Sequence, residues 1–370
     1  MQIQTEWGTA IVLADCPLLD STERFEFLTE VHESHNGTEI RQSLRDQARQ
    51  ILEFNYVNFR KNMGDMFHLI YANLRGLWAI PLYQLRQNLG DIDSNQIEVD
   101  YVDELHNYAL INNQVVQIES IENNVLTFSE HITVENASIV PLRLCIIDGD
   151  VSINASGFYA QQSITFRVIA EDCPEISGQS AEQYKGHDLY FDPLLLDGDA
   201  LSMSLSQHQV IVDGDLGGFE QFTHWAKPRY LKPFRSLLKN RSDFIEYRRF
   251  LFKRMGKLNP FWLPLYEKHL DIVNLGVNWI EVSNSYVIEA DRKHIALKIN
   301  DIWQTYEVLS KSKSGANTRL NLSMNIGVLI TDIQSICYLG LYRLASDQVE
   351  FGFLGAGMVE VNVPIVELQA

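Results

Sequence analysis

Three stretches hold residue types that do chemistry elsewhere. In "VHESHNG", His32, Glu33 and His35 lie together, a mixture suited to a metal ion. A helical zinc site needs two histidines four apart with a glutamate between, and a third ligand from elsewhere. Here the histidines are three apart and no further ligand cluster can be assigned, so a polar loop is the better reading. Asp-Gly-Asp occurs at 148, 197 and 213. A calcium loop needs more oxygen ligands at set spacing and a distal glutamate, so these tripeptides read as turns. "YRRFLFKR" carries Arg248, Arg249, Lys253 and Arg254 among aromatics, which imitates a nucleic-acid patch. No phosphate-binding glycine loop, dinucleotide fingerprint or nucleophile elbow is present. Among 48 acids some carboxylate pair always looks suitable for glycoside hydrolysis, because such pairs meet in space and not in sequence. No enzyme, metal or cofactor is expected.

Composition narrows the partners. The chain has 370 residues, 46% hydrophobic and 21% charged, a globular balance long enough for two domains. Its formal net charge of -18 repels nucleic acid and anionic membranes, so the arginines near 250 are expected to meet acids on a neighbour, such as another copy. The start of the chain, with Glu6 and Asp15 and no basic segment, does not read as a signal peptide. No apolar run reaches membrane-span length. Cys16, Cys145, Cys173 and Cys337 form no C-x-x-C pair and read as reduced, mostly buried thiols.

The elements that carry these residues repeat. Trp followed by Pro-Leu-Tyr occurs at 78–83 and at 262–266. Gly37 and Gly217, and Arg49 and Arg229, stand 180 apart; Pro81 and Pro264, and Val99 and Val282, stand 183 apart. Ile118 and Ile121 match Ile299 and Ile302, Arg143-Leu144 matches Arg343-Leu344, and Glu171 matches Glu367. Shared order at a nearly steady offset predicts a tandem duplication, with domains at 1–182 and 183–370.

Each copy predicts one helix. In the first, Asp65 caps it, Phe67, Ile70, Tyr71 and Leu74 form its apolar stripe, and Gly76 ends it. In the second, Asp243 caps it, Phe244, Tyr247, Leu251 and Met255 line one face, and Gly256 ends it. Alternation in "QILEFNYVN", "ITFRVIAE" and "VEVNVPI" predicts strands, and Asn123-Asn124 and Asp148-Gly149 predict turns between them. The fold class is therefore α+β: two similar, mostly antiparallel β domains, each with one main helix. "NPFWLPLY" reads as an extended segment whose rings cover the helix or a subunit boundary.

"FLTEVHESHNGTEIRQSLRDQARQ", with Asn36, Gly37, Glu39, Arg41, Arg45 and Arg49, resembles the N-terminal signature of tail-tip proteins of long-tailed bacteriophages and gene transfer agents. "SDFIEYRRFLFKRMGKLNPFWLPLY", with Arg254, Gly256, Phe261, Trp262 and Pro264, resembles that family's following helix, glycine bend and Phe-Trp-x-Pro segment. Distal tail proteins carry one copy of this unit; here there are two. The resemblance implies a structural protein of the virion tail tip, assembled in the host bacterial cytoplasm, in a ring around the tail channel. Its implied partners are copies of itself, the tail tube, the tape-measure protein, and baseplate hub or receptor-binding proteins. Three duplicated chains would make a pseudo-six-fold ring; six would make a conventional hexamer. Trp78, Tyr83, Trp262 and Tyr266 are the expected aromatic anchors at interfaces, with Arg248, Arg249 and Arg254 as charged ones. The alternative is a carbohydrate-binding or polysaccharide-processing tail protein, which needs aromatics on a concave, solvent-facing surface.

Overall fold

The computed structural model describes residues 1–59, 61–174, 176, 178, 182–192, 203–215, 217–225, 228–265, 270–283, 292–355 and 357–368. The fold is mostly β, with a large mixed sheet and, among the described residues, two α-helices, α1 (Lys61–Asn73) and α2 (Arg241–Arg254).

Period-two alternation sets the sheet. Leu52, Phe54 and Tyr56 are buried on strand Arg49–Phe59, as are Val359, Val361, Val363 and Ile365 on Met358–Glu367. Asn123 and Asn124 both take positive φ, 49° and 66°, in the tight turn before Val125. Asparagine tolerates that conformation better than most residues.

One order of pairings occurs in each half. In the first, Gly8–Val12 runs parallel to Leu77–Pro81, which pairs antiparallel with Val125–Ile147. Then follow Tyr159–Val168, Arg49–Phe59 and Ser21–Glu26, all antiparallel. In the second, His187–Leu189 runs parallel to Phe261–Pro264, followed by Ile333–Leu344, Met358–Glu367, Arg229–Leu238 and Ser204–Ser206. Gln348–Gly355 of the second half pairs antiparallel with Ser21–Glu26 of the first, so both halves share one sheet. Strands between residues 87 and 139 build a smaller satellite core around Ile97, Leu126 and Phe128.

Several sequence landmarks fall out of register. Leu82 donates its N–H to Pro141 at 2.9 Å, as Leu265 does to Tyr338 at 2.8 Å, and Pro81 faces Leu142 as Pro264 faces Leu339. In that frame Phe261 takes the place of Trp78, and Trp262 takes that of Ala79. The first half has two residues between Trp and Pro and the second half has one, and a one-residue shift moves a strand side chain to the opposite face. Trp78 therefore packs beside Phe166 (6.4 Å), and Trp262 on the other side beside Tyr184 (5.5 Å) and His294 (4.7 Å). Arg143 and Arg343 are likewise three positions apart in this frame. Ile118 lies within Gln114–Glu122, whereas Ile299 ends His294–Ile299, so that pair is not equivalent either.

Both helix starts differ from expectation. α1 begins at Lys61, which places Asp65 inside it, and its buried face is Met66 and Ile70. Phe67, Tyr71 and Leu74 are exposed, Tyr71 by 78%. Asn240 caps α2 by accepting the Asp243 N–H at 2.9 Å. Phe244, Tyr247 and Leu251 are buried there as expected, Met255 is half-buried in the left-handed conformation, and Gly256 follows at φ 64°.

Candidate functional site

The chemically dense region is the junction between the halves. The turn preceding strand Tyr108–Ile111 carries Asp103 and Glu104, and α2 of the second half presents arginines to it. Glu104 accepts from Arg143 Nη2 at 2.6 Å and pairs with Arg248 on its other oxygen. These side chains are 7%, 0% and 1% exposed. Arg143 also donates to Gln50 (3.0 Å), which is hydrogen-bonded to buried Glu23. Arg249 grips Asp103 with two bonds, 2.9 and 2.8 Å.

A second cluster forms where the hairpin Thr29–Glu33/Glu39–Ser43 meets the second half. Glu39 accepts two bonds from Arg343, 2.7 and 2.9 Å, and one from Arg229 at 3.2 Å. Arg229 also bridges Glu33 at 3.0 Å and donates to the Gly37 carbonyl. Nearby, Asp347 accepts the backbone N–H of Thr29 (2.9 Å) and of Lys257 (3.0 Å), so one side chain ties both halves together. Aromatic rings also meet across the halves: Phe252 of α2 lies 4.7 Å from Phe25 and 5.5 Å from Phe27.

The electrostatics suit a fixed joint. Burial raises the Glu39 pKa, but the Arg343 hydrogen bond and the charges of Arg343, Arg229 and Arg41 outweigh it, leaving a net shift below the ordinary value of 4.5. Burial dominates at Glu23 and pushes its carboxyl up, against the pull of Arg248, Gln50 and Arg143. Because Glu39 has a depressed folded pKa, its stabilisation is present above the unfolded value and is lost as pH falls through the folded one. Thermal midpoints measured across the acid range should fall more steeply for the wild type than for Glu39→Gln. Parallel curves would contradict this role.

Most of the expected interface residues are engaged inside the chain. Trp78 and Trp262 are 0% and 3% exposed, Trp78 donating to Asn73 O (3.2 Å) and Trp262 to Tyr184 O (2.8 Å). Half-buried Tyr83 donates its hydroxyl to Ala14 O at 2.6 Å. Tyr266 lies outside the described residues. Arg248 and Arg249 meet Glu104 and Asp103, and Arg254 meets Asp188. The expectation of acids on another copy is thus corrected: for Arg248 and Arg249 the acidic neighbour is the first half of the same chain, and for Arg254 it is the start of the second half.

The "VHESHNG" residues are not gathered around one point. His32 pairs with Glu30 (3.2 Å), Glu33 with Arg229, and His35 lies beside the His224 ring (6.2 Å). Among the described residues, no group of three or more His, Cys, Asp or Glu is arranged to hold a metal. Asp148 directly follows strand Val125–Ile147 and is bound by Arg167 (2.6 Å). Asp213 is the last residue of strand Val210–Asp213, not a turn residue, and accepts the Asp215 N–H (3.0 Å). Asp197 lies outside the described residues. A cleft is lined by Lys185, His187, Arg292, His294 and the Trp262 indole, among others. That indole is too buried to offer a face for sugar stacking. No described helix is long and apolar enough to cross a membrane. Cys145, Cys173 and Cys337 are buried and Cys16 is exposed, all as free thiols.

Glu104 and Asp347 do not stand out in the sequence, and Glu39 does so only as part of the resemblance. Their arginine or backbone partners lie 39 to 318 residues away, beyond the reach of any local pattern.

No protein-family model and no curated protein matches the chain.

Proposed function

We propose that the chain is a duplicated structural protein of a phage-type tail tip, a ring-forming distal tail or baseplate hub component that joins the tail tube to the hub. The observation that carries the structural part is the recurrence of one strand order, parallel pair included, in both halves. Duplication of one unit explains that recurrence economically. It also explains why offsets of 180 hold up to the main helix and 183 holds just after it. The tail-tip part rests on the resemblance carried by Gly37, Glu39, Arg41, Arg254, Gly256 and Phe261.

The junction supports the same reading. Carboxylates held between arginines position domains; they are poorly placed to exchange protons with a substrate. Two similar domains locked at a fixed angle are what a symmetry adaptor needs. Gold-labelled antibody against the chain should mark one end of purified tails from the particle that encodes it. Label along the whole tube, on the head, or absent from assembled particles would overturn the location.

A further inference from the structure

Within the chain, the junction has two faces. The second half contributes strand Gln348–Gly355 and helix α2; the first contributes strand Ser21–Glu26, with Glu350 opposite Arg24 and Phe351 opposite Glu23. Phe252 of α2 covers Phe25 of that strand. Each half also holds the element it does not use in this contact. Ser152–Ala155 sits beside Tyr159–Val168 as Gln348–Gly355 sits beside Met358–Glu367. Ser204–Ser206 sits beside Arg229–Leu238 as Ser21–Glu26 sits beside Arg49–Phe59.

Both of these leftover strands are exposed along their length and, among the described residues, paired on one side only. Met66 and Ile70 bury in α1 as Tyr247 and Leu251 do in α2. That register gives Tyr71 the place of Phe252. The pairing gives Leu205 the place of Phe25, Met203 that of Glu23 and Ile153 that of Phe351. Tyr71, Leu205, Met203 and Ile153 are all exposed, by 78%, 63%, 40% and 36%. Unpaired strand edges with apolar side chains invite another strand.

We infer that a second copy of this chain docks head to tail on these elements: strand Ser152–Ala155 and α1 of one copy receive strand Ser204–Ser206 of the next. Ser152 then lies opposite Ser204, Ile153 opposite Met203, and Tyr71 over Leu205. The contact repeats the junction inside the chain, so every domain boundary in the assembly is of one kind. It is heterologous, and successive copies close a ring or extend a filament. The inference rests on the duplication proposed above and assigns its partner surface.

Directly opposed residues of antiparallel strands have Cα atoms about 4.5–5.5 Å apart, within disulfide range. In a Cys16→Ser background, Ser152→Cys and Ser204→Cys single variants are mixed and oxidised with diamide. A two-chain disulfide band, formed by the mixture well above either variant alone, is expected. Ile153→Asp and Tyr71→Asp, both surface changes, should raise the concentration needed for assembly at least about tenfold while leaving the thermal midpoint of the dilute chain unchanged. A multi-chain native mass with no mixed disulfide and no effect of either aspartate would overturn this surface but leave the ring reading standing. A monomer at all concentrations, with no disulfide, would overturn the surface and the unaided ring together, while the tail-tip label would still test location.

Discussion

Glu104→Ala should destabilise the chain by about 3–5 kcal/mol, the usual cost of removing one partner of a buried ion pair. Glu104 stands between Arg143 and Arg248, both almost fully buried. Without it, two buried guanidinium groups lose their shared carboxylate, and Glu23 beside them has a pKa raised by burial. Burial pulls the Arg248 pKa down, against the charges of Glu23 and Asp103. Asp103→Ala is the control. Its partner Arg249 is 33% exposed, water can reach it, and the loss should be about 1 kcal/mol or less. Urea unfolding of both variants measures the difference. Equal effects would mean that the Glu104 cluster is no more important than a surface pair.

Trp78→Ala should also cost about 3–5 kcal/mol, and Trp262→Ala a similar amount, because each removes a large buried ring. The two act on separate clusters, Trp78 in the main core and Trp262 with Leu189, Ala296 and Leu339. Their effects should therefore add, as they do for sites without shared partners. A loss within about 0.5 kcal/mol for either, typical of an exposed site, would contradict its place in the structure.

Those two tryptophans also mark where sequence reasoning stops. Strands such as Arg49–Phe59 were legible because a side chain's face depends on its neighbours two positions away. The shared Trp and Pro-Leu-Tyr landmarks align Trp78 with Trp262, whereas one residue fewer before Pro264 turns the second ring to the other face. The α2 stripe was readable because its ring-bearing face is buried within the chain. In α1 the same periodicity predicts a stripe of Phe67, Ile70, Tyr71 and Leu74; Ile70 is buried as expected, beside Met66, but Phe67, Tyr71 and Leu74 are exposed. A stripe at helical spacing shows that a face is apolar, not what covers it. The arginines at 248 and 249 stand out in the sequence, but Asp103 and Glu104 do not, since α2 meets them only through tertiary packing. Glu39 was noticed as part of a resemblance, and its role as the acceptor for Arg343 and Arg229 emerges only when the halves are joined.

The most direct test of the account is native mass with negative-stain electron microscopy of the purified chain. A six-lobed ring with the mass of three chains is the predicted result: two domains per chain and one kind of boundary throughout. A compact, one-lobed monomer would contradict it, because the chain would then show neither two similar domains nor the association that its exposed strand edges imply.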